Sequence, residues 1–258
     1  MQDEEWKSYE EFADGIDTFR LANADLSGSR LDVELDSTGS VEIDFLDASR
    51  ARWKASLGGN SYQAEAGDYD AVEVRSGVLF VNLPLGLSSV TLVFSRNTGR
   101  VIVTESRIGE RQEAGVPRVL QSFHAAQLRG VEISGAAPEP SRDLIGQRNV
   151  YRYSPSHLYE HVYISSQRYA WQCLEGVQRG HGDMDLSTVW KLEEGLYLFC
   201  FREFRIPVAS VWLHDLGYQL RTTGVFLGLN VEGGAEHSRG GGHIYPLGSV
   251  RYPDAQPV

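Results

Sequence analysis

A chain of 258 residues, 41% hydrophobic and 23% charged, has the make-up of a folded globular protein and the length for one large or two small packed domains. Its formal net charge of −11 argues against a nucleic-acid partner, which needs a basic footprint. No apolar run approaches the roughly 18 residues of a membrane span, and Cys173 and Cys200 are too few for a disulfide framework, so a cytoplasmic protein without a membrane partner is expected.

From the start, Met1–Trp6 is acidic and lacks an apolar h-region, so a secretory signal is not expected. Helical signal covers Glu4–Arg20. Most of the remaining chain reads as short strands, among them Val72–Val74, Val78–Leu83, Val90–Ser95, Val101–Glu105, Leu196–Phe204 and Val211–His214. Turn residues punctuate them at Ser37-Thr38-Gly39, Gly58-Gly59-Asn60, Asn97-Thr98-Gly99 and Gly233-Gly234. A second helical signal lies at Pro117–Leu128. Residues 106–143 differ in composition from the segments on either side and read as a linker between units at 1–105 and 144–258.

The two units match one another. At an offset of 118, Leu26, Gly28, Arg30, Glu42, Arg50 and Trp53 fall on Leu144, Gly146, Arg148, Glu160, Arg168 and Trp171, six identities in 28 positions. After a three-residue insertion Ser89-Val90 meets Ser210-Val211, and Thr98-Gly99 meets Thr223-Gly224. Self-similarity at a fixed offset marks a duplicated unit. Short, evenly spaced strands then imply an all-β protein of two tandem β-barrels, since closure removes exposed sheet edges. One composite barrel is the alternative.

One copy is a control for the other. In the first, Leu31, Val33, Leu35, Val41, Ile43 and Phe45 alternate with acidic residues, the pattern of half-buried strands. The same positions in the second hold Asn149, Tyr151, Tyr153, Tyr159, His161 and Tyr163. Polar groups on a core face cost stability unless partnered, so a polar ligand site is expected there. A hairpin turning at Ser154-Pro155-Ser156 would set this row on one face. Phenols with an imidazole suit a small aromatic or phenolic molecule, and histidine can exchange a proton near neutral pH.

If Tyr197, Phe199 and Phe201 point inward, Glu203 does as well. It is then either an acid or base with a raised pKa or the partner of Arg148 or Arg221 in an ion pair. Glu203, His161 and Tyr153 are the candidate catalytic residues. Asn149, Tyr151, Tyr159, Tyr163, Arg148, Trp171 and His181 are the candidate ligand contacts. Arg148 and Trp171 recur in both copies and serve the fold first, although Arg148 could meet a carboxylate. Gly240-Gly241-Gly242-His243 reads as a hairpin turn; it lacks the lysine and strand-loop-helix setting of a phosphate loop. His157, His161, His181 and His243 lack the spacing of a metal site, and no cofactor is expected. Cys173 and Cys200 read as packing residues.

The run Asn149-Val-Tyr-Arg-Tyr-Ser-Pro-Ser-His-Leu-Tyr-Glu-His-Val-Tyr163, with Trp171–Asp183, Thr223-Gly224 and Gly240–Pro246, resembles the MoaF family. The resemblance spans both halves and implies two lipocalin-like domains. The family name implies a role in molybdenum cofactor biosynthesis; its association with a monoamine-responsive regulon implies a tyramine-like or phenolic ligand. Phenolic acid decarboxylases are similar in residue types alone, being small barrels that use Tyr, Arg and Glu. The sequence therefore points to a cofactor-independent lyase, isomerase or cyclase acting on a small aromatic or phenolic compound. A non-catalytic binding protein and a molybdenum cofactor accessory protein are the alternatives, and a homodimer is compatible with each.

Overall fold

A computed structural model describes residues 7–111 and 113–258; the acidic stretch Met1–Trp6, including the start of the expected first helix, lies outside them. Where the sequence predicts a helix up to Arg20, the described part is the five-residue α1 (Tyr9–Ala13), started by a capping box between Ser8 and Glu11. Successive turns occupy residues 14–19, with Gly15 at φ 76°, and carry the chain on as a strap.

Nine strands make the first unit: β1 (Arg30–Leu35), β2 (Ser40–Phe45), β3 (Arg50–Leu57), β4 (Asn60–Asp68), β5 (Asp70–Arg75), β6 (Val78–Leu85), β7 (Ser88–Ser95), β8 (Arg100–Ile108) and β9 (Val119–Leu128). They form one antiparallel sheet in the order β4-β3-β2-β1-β9-β8-β7-β6-β5. Its two end strands, β4 and β5, are consecutive in the chain and joined only through Tyr69, so the sheet curls into a half-barrel. The helical signal at Pro117–Leu128 is corrected: those residues make β9, paired along its length with β8 and at its end with β1. Pairing with two waiting strands outweighs a weak local preference. A strand of the first unit thus comes from within the expected linker.

The second unit holds a two-residue edge piece, β10 (Glu139–Pro140), and then β11 (Gln147–Ser154), β12 (His157–Tyr163), β13 (Arg168–Glu175), β14 (Gly182–Glu193), β15 (Leu196–Arg202), β16 (Val208–Asp215), β17 (Arg221–Leu229) and β18 (Ala235–Ser249). These eight long strands adopt the order β14-β13-β12-β11-β18-β17-β16-β15, and β14 also pairs with β15, which closes the barrel. The long β14 does in one piece what β4 and β5 do in two: its start pairs with β13 and the rest with β15. The protein is all-β, built of two tandem barrel units.

The hydrophobic core of the first unit comes from alternating residues such as Val33, Ile43, Trp53, Leu92 and Val103. The units pack side by side through outward faces, where Phe80, Val93 and Ile102 meet Leu198, Val211 and Leu213. This contact explains why β7 and β16 are buried on both faces. It also corrects the alignment of the copies. Val90, Leu92 and Phe94 point into the first unit, whereas Val211 faces the interface and Trp212 points into the second barrel. The inward residues matching Val90, Leu92 and Phe94 are Ser210, Trp212 and His214, so the insertion is one residue shorter than sequence identity suggests. A one-residue slip exchanges the faces of a strand. Likewise Thr98-Gly99 lies in a turn and Thr223-Gly224 inside β17.

Gly240-Gly241-Gly242 is corrected too, being the interior of β18. Close approach requires the glycines: a Cβ on Gly240 would lie 2.5 Å from Trp212, and one on Gly241 2.8 Å from the Arg20 backbone.

Candidate functional site

The β11–β12 hairpin turns at Pro155-Ser156 and pairs Tyr151 with Tyr159 and Asn149 with His161. Pleating turns Asn149, Tyr151, Tyr153, Tyr159, His161 and Tyr163 to the interior of the closed barrel, where all are buried. Tyr197, Phe199 and Phe201 point inward from β15, and Glu203, just beyond that strand, does the same.

A cavity of about 40 Å³ opens among Tyr153, Tyr159, His161, Tyr169, Trp171, Gln178, Phe201, Glu203, Trp212 and Phe226, and is capped by Phe12 and Ile16. Five predicted residues therefore meet there: Tyr153, Tyr159, His161, Trp171 and Glu203. Asn149, Tyr151 and Tyr163 stand behind His161. The Tyr151 ring lies 4.4 Å from the His161 ring, its hydroxyl is 2.6 Å from that of Tyr163, and Asn149 Nδ2 donates to it at 3.4 Å.

Two predicted contacts are elsewhere. Arg148 points outward and is ion-paired with Glu160, and with His181 it borders a groove on the outer face of the barrel. The ion pair considered for Glu203 is absent: Arg221 instead donates to the Phe19 carbonyl and sits 3.0 Å from His243 Nε2.

Burial sets the electrostatics. Desolvation, reinforced by the neighbouring carboxylates of Asp185 and Asp183, pushes Glu203 well above the usual carboxylate range. No hydrogen bond to its carboxyl forms among the described residues. Burial also raises Asp185, to about 6, while donors from Trp171 Nε1 at 2.9 Å and Phe204 N at 3.2 Å favour its ionised form. Burial thus favours the protonated form of Glu203, beside a carboxyl that titrates at about 6. His161 is pushed down to about 3 by desolvation. Burial thus favours the neutral imidazole of His161, whose Nδ1 is buried without a hydrogen-bond partner. Burial raises Tyr151, to about 12, and also Tyr153, Tyr159, Tyr163 and Tyr169, so each keeps its proton.

Sequence reasoning missed Asp185, His214, Tyr169, Trp212, Gln178 and the two caps. His214 Nδ1 lies 2.8 Å from Thr222 Oγ1, and its ring is 5.0 Å from that of Tyr151. The misplaced insertion hid it; the alternation Ser210, Trp212, His214 was the available signal. Tyr169 replaces Ala51 of the first copy and shares a face with Trp171, so the same comparison could have found it. Nothing local marked Phe12 or Ile16. Among the described residues no three His, Cys, Asp or Glu side chains converge as a metal site, and no helix is long and apolar enough to cross a membrane.

Comparison with known proteins bears on the whole chain. A crystal structure described as a candidate beta-lactamase from Burkholderia vietnamiensis aligns at 13% identity with a TM-score of 0.35, covering 40% of this chain and 95% of its own; so shallow a likeness carries no argument. Protein MoaF of Klebsiella aerogenes is 34% identical over 182 residues, 65% of this chain and 68% of that protein. The MoaF N-terminal domain matches residues 4–110 and the MoaF C-terminal domain residues 138–250. By sequence across both halves, the chain belongs to the MoaF family.

Proposed function

We propose that the second barrel binds a small aromatic or phenolic compound and converts it without a cofactor, as a lyase, isomerase or cyclase in the cytoplasm. The observation that carries this reading is Glu203: a buried carboxyl without a hydrogen bond, lining an aromatic cavity beside Asp185. Glu203 would give a proton to the substrate, and the carboxylate so formed would take one back from another position, rearranging or cleaving the substrate with no net redox change. Asp185, held by Trp171 and Phe204 outside the cavity lining, would act through Glu203 by favouring its protonated form. Tyr153, Tyr159 and neutral His161 would orient its polar groups.

Cavity charge narrows the ligand. No Lys or Arg is among its lining residues, so a neutral or cationic aromatic suits it better than a carboxylate or phosphate. A phosphorylated pterin, which the family name suggests, finds no cation there. Non-catalytic binding is the second reading, favoured by the protonated phenols and neutral imidazole, which can hold a ligand without reacting.

Mass-spectrometric analysis of phenolic compounds and aromatic amines incubated with the protein separates the two. Consumption of one compound, abolished by Glu203→Gln while binding persists, supports the enzyme. Normal turnover by that variant removes Glu203 from the chemistry. Binding without consumption leaves a binding protein.

A further inference from the structure

We propose that Phe12 is a gate in the cavity mouth: an aromatic ligand enters by displacing it, and the size of residue 12 sets how large a ring system the site takes. The proposal rests on the reading that this cavity holds an aromatic ligand.

Its first support is volume. About 40 Å³ is room for a water or two, whereas a cavity that takes benzene measures roughly 150 Å³. An aromatic guest therefore needs space that a side chain now fills. Phe12 and Ile16 are the lining residues supplied from outside the second unit. Phe12 already packs as a guest ring would, edge-on to Phe226 at 5.6 Å and against Tyr9 at 5.4 Å.

The attachment of this segment supports a hinged gate. Residues 9–16 are hydrogen-bonded to the barrel at two separated points, Val231 N to Glu10 Oε1 at 2.9 Å and Gly241 N to the Ile16 carbonyl at 3.3 Å, and otherwise rest on it by the apolar packing of Tyr9, Phe12 and Ile16. Beyond them the strap is clamped. Phe19 N donates to the Tyr153 carbonyl at 2.9 Å, and Arg20 forms an ion pair with Asp70 of the first unit. Gly15, in the left-handed region at φ 76°, lies between plug and clamp, where a hinge must absorb a backbone change. The first-unit end of the chain thus closes the site of the second.

Calorimetry with phenol and 1-naphthol on the intact protein, Phe12→Ala and Phe12→Trp tests the gate, together with deuterium exchange of residues 9–19 in the wild type with and without phenol. We expect Phe12→Ala to bind 1-naphthol at least tenfold more tightly than wild type. Phe12→Trp should weaken phenol at least tenfold, and phenol should speed exchange in residues 9–19. Should Phe12→Ala fail to fold, Phe12→Trp and wild-type exchange decide. Binding with equal affinity across the folded variants, or with unchanged exchange, overturns the gate and leaves the binding site standing. No binding of either probe by any variant overturns both.

Discussion

The indole N–H of Trp171 donates to Asp185 Oδ2 at 2.9 Å inside the second barrel, and Asp185 in turn raises the pKa of Glu203. An aromatic residue that recurs in both copies, as Trp53 and Trp171, has acquired a polar task in one of them. In the first unit Trp53 Nε1 is buried without a hydrogen-bond partner; in the second the same position orients a carboxylate.

Asp185 makes stability depend on pH. Its carboxyl rises from the ordinary 3.8 to about 6, so the folded chain holds this proton more tightly than the unfolded chain. The stabilisation is complete below about pH 3.8 and lost as pH rises through about 6, a difference on the order of 3 kcal/mol. Denaturant midpoints should therefore fall less steeply between pH 4 and 8 in Asp185→Asn than in wild type. Parallel slopes would show that the carboxyl is not perturbed.

Two tyrosines, one residue apart in the inward row, should behave in opposite ways. Tyr151→Phe removes the 2.6 Å hydroxyl contact with Tyr163 and should cost about 1 kcal/mol of stability. Tyr153 lines the cavity and its hydroxyl has no hydrogen bond among the described residues, so Tyr153→Phe should leave stability within ~0.5 kcal/mol and weaken ligand binding. Urea titration beside calorimetry reads both effects.

The ion pair Arg20–Asp70 ties the strap to the first unit with side chains only 7% and 10% exposed. Arg20→Ala leaves buried Asp70 with the half-exposed Arg239 alone, at 3.8 Å, and should destabilise the protein by about 3 kcal/mol, measured by chemical denaturation. A loss below 1 kcal/mol would mean that water reaches the pair freely.

Trp212 is held between glycines. Gly240→Ala would place a methyl 2.5 Å from its ring and should cost about 1–3 kcal/mol through overpacking, with a change in near-ultraviolet circular dichroism. An unchanged spectrum and stability would show that the ring has room to shift.

Much of the fold was legible because strand periodicity is local. The apolar row Leu31 to Phe45 and the polar row Asn149 to Tyr163 declared strands, a shared face and a duplication, and both rows are buried as their alternation implied. The inward aim of Glu203 came from the same parity. His214 escaped because an insertion between strands leaves the copies' identities silent about pleat. Pro117–Leu128 read as a helix because its partners, β8 and β1, lie far away in the chain.

The sequence by itself determined two all-β units, their duplication and the polar rewriting of the second interior, since each depends on spacing along one stretch of chain. Tertiary structure alone decided that the second barrel closes through β14 and β15, that Arg148 and His181 lie outside it, and that Phe12 and Ile16 cap its cavity. It also decided the acid–base character of Glu203 and Asp185. Those facts depend on which distant segments displace water from a given side chain, and desolvation is a property of the packed volume, which no local pattern encodes.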